Sequence, residues 1–188
     1  MPNLMVIDVE TSGLPKRRRC SYAQLDNFDD SRMIELAYVV YDPSLMEVIK
    51  ERSWLIRSVD VVENSEIHGI STEDLLRDGV DVREALGEMK EDLASVDTIA
   101  AHNIEFDITI VCSEIFRDNP SSSMLGLIEG KQKICTMLYG QEIMRMKKWP
   151  KLTELYVFLT GEELVQTHRA LDDVRSCARC FDLMFAKL

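Results

Sequence analysis

Three β-branched and aromatic runs, 4–10, 33–42 and 46–58, follow one another with no helical period between them. Only after residue 65 does the pattern change. SEIHGISTEDLLRD holds a Gly turn and a short helix, with Ser71 and Asp74 at capping spacing. Segment 81–95 puts Val82, Ala85, Leu86, Met89 and Leu93 on one helical face. A short apolar strand follows at 96–103. Then come a helix from Ile104 to Asn119, a short strand within KQKICTMLYG, a helix at 152–161 closed by Gly161, and a last helix from Arg169 to Ala186. Three strands in succession and then alternating elements imply an α/β fold. The expected sheet is mixed, an antiparallel three-strand arm plus parallel strands, flanked by helices. Residues 15–32 (PKRRRCSYAQLDNFDDSR) read as a long polar excursion between the first two strands.

A length of 188 residues fits a single domain, 1–188, with no repeat or linker. No apolar run is long enough to cross a membrane, and no basic n-region precedes the first strand. The expected address is therefore intracellular, in the cytoplasm. Cys20, Cys112, Cys135, Cys177 and Cys180 are odd in number and scattered through apolar segments, as reduced thiols would be. The charge balance, 22 basic against 33 acidic residues, excludes a general nucleic-acid coat protein. It still permits an enzyme with local basic clusters, such as Lys16-Arg17-Arg18-Arg19, Lys131 with Lys133, and Arg145 to Lys151.

The first strand raises the chemical question. Leu4 to Ile7 run straight into Asp8, and Glu10 follows two residues later. Side chains alternate along a strand, so both carboxylates face one way. Two like charges at the end of a buried strand need compensation, and a hard divalent cation supplies it. Solvated strand-end carboxylates are the alternative reading of this pair. Asp107, in AHNIEFD, follows the strand at 96–103, at the edge where open α/β sheets place ligands. In THRALDD, His168 precedes Asp172 and Asp173. A neutral imidazole beside metal-bound carboxylates can take a proton from water. Helical spacing puts His168 and Asp172 on one face, unless His168 lies in the loop before the helix.

These segments together resemble the DnaQ-like 3′→5′ exonuclease family of DEDDh type, similar to proofreading exonuclease subunits. The first motif stands as VIDVETSGL, the second as AHNIEFD and the third as HRALDDV, with IHGIS and PKLTELY between. The resemblance implies an RNase H-like fold with roughly five strands. It implies two divalent cations, Mg²⁺ or Mn²⁺, held by Asp8, Glu10, Asp107 and Asp173. Family spacing selects Asp173 over Asp172. His168 is the implied general base. Glu10, Thr11, Leu14, Asn103, Phe106, His68 and His168 are the implied substrate contacts. The expected reaction releases nucleoside 5′-monophosphates from the 3′ end of single-stranded DNA or frayed ends. An exoribonuclease is the alternative within the family, and the 2′-hydroxyl decides between them. A non-catalytic nucleic-acid-binding module is the alternative outside it. The expected partner is a nucleic-acid 3′ end, DNA favoured over RNA, and a polymerase or other protein that holds the enzyme in place. Homodimers also occur in the family, though no exposed apolar stripe in the sequence demands one.

Overall fold

The computed structural model describes residues 3–57, 62, 65–165 and 168–185. Ser58, Thr167 and Ala186, expected at the ends of the third strand, the last motif and the last helix, lie outside them. The strands are β1 (Leu4–Thr11), β2 (Met33–Asp42), β3 (Glu47–Leu55), β4 (Thr98–Ala101) and β5 (Gln132–Cys135). The helices are α1 (Ser65–His68), α2 (Thr72–Asp78), α3 (Val82–Leu93), α4 (Ile104–Asp118), α5 (Ser123–Glu129), α6 (Thr136–Ile143), α7 (Leu152–Thr160) and α8 (Ala170–Phe185).

The five strands form one sheet in the order β3-β2-β1-β4-β5. β1 pairs antiparallel with β2, and β2 with β3; β4 runs parallel to both β1 and β5. This is the mixed sheet expected from the element order, and it matches the RNase H-like architecture. β1 lies at the centre, which explains its continuous apolar run: both faces are covered. Met5, Ile7 and Val9 join the core under α3, α4 and α5, while Leu4 and Val6 join the core under α7 and α8. The same alternation carries Asp8 and Glu10 onto the α8 side.

Two segments depart from the sequence reading. The 15–32 excursion is anchored rather than loose. Leu25–Phe28 forms a 3-10 turn with Phe28 buried. The Tyr22 ring meets the edge of Phe116, and its hydroxyl donates to Glu129 at 3.0 Å. Arg32 closes the excursion with a two-pronged ion pair onto buried Glu114 of α4. The short strand expected within KQKICTMLYG is β5, which ends at Cys135, but the rest of that segment opens a helix the sequence reading did not anticipate, α6. α6 and α7 then leave Leu138, Tyr139, Ile143, Val157 and Phe158 exposed, an apolar strip the sequence reading did not find. Among the described residues the five cysteines are free thiols, four of them buried, and none of the helices is long and apolar enough to cross a membrane.

Candidate active site

The carboxylates meet where β1 outruns β4. β4 pairs with β1 only as far as Val6, so the β1 edge beyond it lacks a strand partner on that side. Backbone N–H groups left buried need an acceptor. α4 starts three residues after β4 ends and supplies one: Oδ1 of buried Asp107 accepts from the Val9 N–H at 3.2 Å. Helix geometry and strand termination thus bring Asp107 to the end of β1.

α8 delivers the next group. Asp8, Glu10 and Asp173 each offer a carboxylate oxygen within 4.8 Å of the others. Asp173 is buried, whereas Asp8 and Glu10 are partly exposed. Its neighbour Asp172 instead accepts from Arg175 at 3.2 Å. His168 precedes α8 in the left-handed region (φ 51°), so the helical spacing that linked it to Asp172 does not operate. Asp107 is not in the three-residue cluster.

The cluster is electrostatically costly. Burial, then the charges of Asp107, Asp173, Glu10 and Glu35, push Asp8 well above the usual carboxylate range. Burial, then Asp173 and Glu35, raise Glu10 to about 8, with Arg169 opposing. Burial raises Asp107 to about 8 against the hydrogen bond from Val9. Four acidic groups at one strand end fit a divalent cation: the donors are hard oxygens, and their charges raise one another's pKa.

Sequence reasoning missed the support of this site. Glu35 of β2 faces Glu10 across the strand pair and is buried. Arg169 donates to its carboxylate through Nη2 at 2.7 Å and Nε at 3.2 Å, and the Ala170 N–H adds a bond at 3.0 Å. These bonds fix the residues that follow His168. The signal was a lone carboxylate inside MIELAYVV. His102 was missed too. The Pro150 carbonyl can only accept, so the neutral form of His102 donates from Nε2 at 3.0 Å, and its Nδ1 lies 3.1 Å from the Thr136 hydroxyl. Burial lowers its pKa and favours that neutral form.

The expected substrate residues divide. Leu14 is 75% exposed in the turn after β1, which the Thr11 hydroxyl braces by donating to the Gly13 carbonyl at 2.7 Å. Asn103 caps α4 from a left-handed conformation without a side-chain capping bond, and Phe106 is half-buried one turn on. Leu14, Asn103 and Phe106 line one cavity. His68 is different: it is buried, and its Nδ1 accepts from the Ile70 N–H at 3.1 Å. That placement fits a turn-stabilising residue and offers no support for a substrate contact.

The sequence matches the RNase T exonuclease family over residues 5–181. The chain belongs to this exonuclease family. Its fold is similar to that of exonuclease X solved with 5′-overhanging duplex DNA, at 19% identity and a TM-score of 0.65, covering 98% of this chain and 92% of that one. It is also similar to E. coli exonuclease I solved with a dT13 oligonucleotide, at 17% identity and a TM-score of 0.71. That match covers 97% of this chain but 41% of exonuclease I. A 3′-exonuclease solved with a histone mRNA stem-loop gives 14% identity and a TM-score of 0.68, covering 97% and 63%. No curated protein matches the sequence. Membership makes the chain a nuclease-type hydrolase with the DnaQ-like fold.

Proposed function

We propose that the chain is a DEDDh-type, metal-dependent 3′→5′ exonuclease acting on single-stranded DNA or frayed ends, with 1–188 as one catalytic domain. The observation that carries this is the convergence of Asp8, Glu10 and Asp173 within 4.8 Å, with buried Asp107 at the same strand end. Asp8, Glu10, Asp107 and Asp173 would hold two divalent cations, Mg²⁺ or Mn²⁺. Bound there, the cations would supply Lewis acidity and positive charge to the scissile phosphate.

The chain's own groups do the rest. Leu14 wedges against the terminal base from its exposed position, with Asn103 and Phe106 lining the same recess. Glu10 contacts the terminal 3′-hydroxyl, and the Thr11 backbone holds the last base together with Leu14. His168 accepts the proton of the attacking water. The water oxygen bonds to phosphorus, the P–O3′ bond breaks, and the terminal nucleotide leaves as a nucleoside 5′-monophosphate. The proton lost from water balances the one taken up by the departing 3′ oxygen.

The test is a time course on 5′-labelled single-stranded DNA and matched RNA, with Mg²⁺, Mn²⁺ or EDTA, beside Asp8→Asn. A ladder shortening from the 3′ end, absent with EDTA and in the variant, is expected, with DNA degraded faster. RNA degraded faster would replace the substrate assignment with the exoribonuclease one. Oligonucleotide binding with no ladder in any metal would support a non-catalytic binding module instead.

A further inference from the structure

A cavity of about 630 Å³ begins at Leu14, Asn103 and Phe106 and extends well past them. Its lining includes apolar Phe28, Ile110 and Met137, the consecutive Arg17, Arg18 and Arg19, and Trp149. The arginines are exposed, and among the described residues none of the three has a carboxylate partner. Their neighbours do: Lys16 lies 3.6 Å from Asp30, and Arg117 of α4 lies 3.3 Å from Asp29. In a chain with 33 acidic and 22 basic residues, carboxylates are not scarce. Three consecutive arginines carry like charges that repel, and among the described residues no ion pair offsets that.

The arginine run is also held in place. Before it, the Lys16 N–H donates to the Asn27 carbonyl at 3.0 Å. After it, Tyr22 is fixed on Glu129 and Phe116. Trp149 is held as well. It is 55% exposed, but the next residue, Pro150, accepts the His102 hydrogen bond that ties this loop to the turn carrying Asn103. An unpaired cationic rim, an apolar lining and an exposed indole are what a single-stranded polynucleotide requires. Its phosphates take guanidinium groups and its unpaired bases take a π-face.

We propose that this cavity seats the single strand next to its 3′-terminal nucleotide, with Arg17, Arg18 and Arg19 on the phosphates and Trp149 stacked on a base. The strand's direction rests on the exonuclease reading; the binding does not. Paired bases cannot stack on Trp149, so the site selects single strands.

The experiment is fluorescence anisotropy of labelled oligothymidylate in EDTA, where no metal-dependent hydrolysis occurs. It compares wild type, Arg17→Ser/Arg18→Ser/Arg19→Ser, the same three changed to Lys, Trp149→Ala and Trp149→Phe. A charge control, Arg77→Ser/Arg83→Ser/Lys90→Ser, removes equal charge elsewhere. The triple Ser variant should bind at least tenfold more weakly and flatten the plot of log K against log salt by roughly 2, about 0.7 per phosphate. The triple Lys variant should restore the slope. Trp149→Ala should weaken binding roughly tenfold without changing the slope, and Trp149→Phe should retain most of the affinity. The proposal is overturned if the triple Ser variant loses no more affinity than the charge control, if Trp149→Ala binds as wild type, or if blunt duplex competes as well as single strand. An oligouridylate arm distinguishes RNA from DNA. Wild-type binding of this kind without any hydrolysis in Mg²⁺ would sink the exonuclease reading and leave the cavity assignment standing.

Discussion

At the scale of single residues, the site is a problem of charge. Asp8 and Glu10 were legible because strand period fixes their common face. Asp173 was not separable from Asp172 by spacing, because the choice depends on where α8 starts and His168 lies before it. Glu35 and Arg169 were illegible as a pair because 134 positions separate them. Their contact predicts more than stability. Glu35→Gln removes a buried charge-assisted pair and should cost about 1–3 kcal/mol in thermal or urea unfolding. It should also lower kcat more than it raises KM, since it loosens the segment bearing His168. An unchanged kcat would make the pair purely structural. His168→Ala should reduce turnover by roughly 10²- to 10⁴-fold while Mn²⁺ affinity stays within a few-fold of wild type. Full activity in that variant across neutral pH would remove the histidine from the mechanism.

At the scale of elements, the strands and the long helices were readable from period alone. Where reading failed, the cause is local. α5 is seven residues long, too short for a period to emerge. β5 passes into α6 through Ile134-Cys135-Thr136-Met137-Leu138, an apolar run with no punctuation. The break is tertiary: Thr136 is buried, and its hydroxyl lies 3.3 Å from the Ala101 carbonyl and 3.1 Å from His102. The α6–α7 contact is close. A Cβ on Gly140 would lie 2.9 Å from Leu155 Cδ1 and 3.3 Å from Pro150 Cγ. Ala is favoured over Gly in a helix by about 1 kcal/mol, but Leu155 is fully buried and cannot swing into solvent. Gly140→Ala should therefore destabilise by about 1–3 kcal/mol in thermal unfolding. Adding Leu155→Val should recover part of that loss. A Gly140→Ala variant with raised Tm would show that the α6–α7 contact yields easily.

At the scale of the whole molecule, acidity is distributed unevenly. The carboxylates gather at the end of β1, while three consecutive exposed arginines line the cavity that begins at Leu14, so a net charge of −11 coexists with a local site for an anionic strand. The buried acids also tie stability to pH. Glu10 and Asp107 hold protons up to about 8 in the folded, metal-free protein, above their ordinary carboxylate values. The folded state then binds more protons than the unfolded state across that window, so stability falls as pH rises through it. In EDTA the Tm should drop between about pH 5 and 8. Mn²⁺, which needs the deprotonated carboxylates, should raise Tm more at pH 8 than at pH 5.5. A Tm in EDTA that rises over this window would contradict the assigned burial of charge.

The central claim is that Asp173 of α8 completes a metal site with Asp8 and Glu10, and that this site carries the hydrolysis. Mn²⁺ binding by titration calorimetry, with turnover on single-stranded DNA in parallel, tests it on two adjacent residues. Asp173→Asn should lose tight Mn²⁺ binding and nearly all turnover together, while Asp172→Asn, whose carboxylate lies outside the cluster and accepts from Arg175, should keep both. Retained Mn²⁺ binding and turnover in Asp173→Asn, or their loss in Asp172→Asn, would contradict the account.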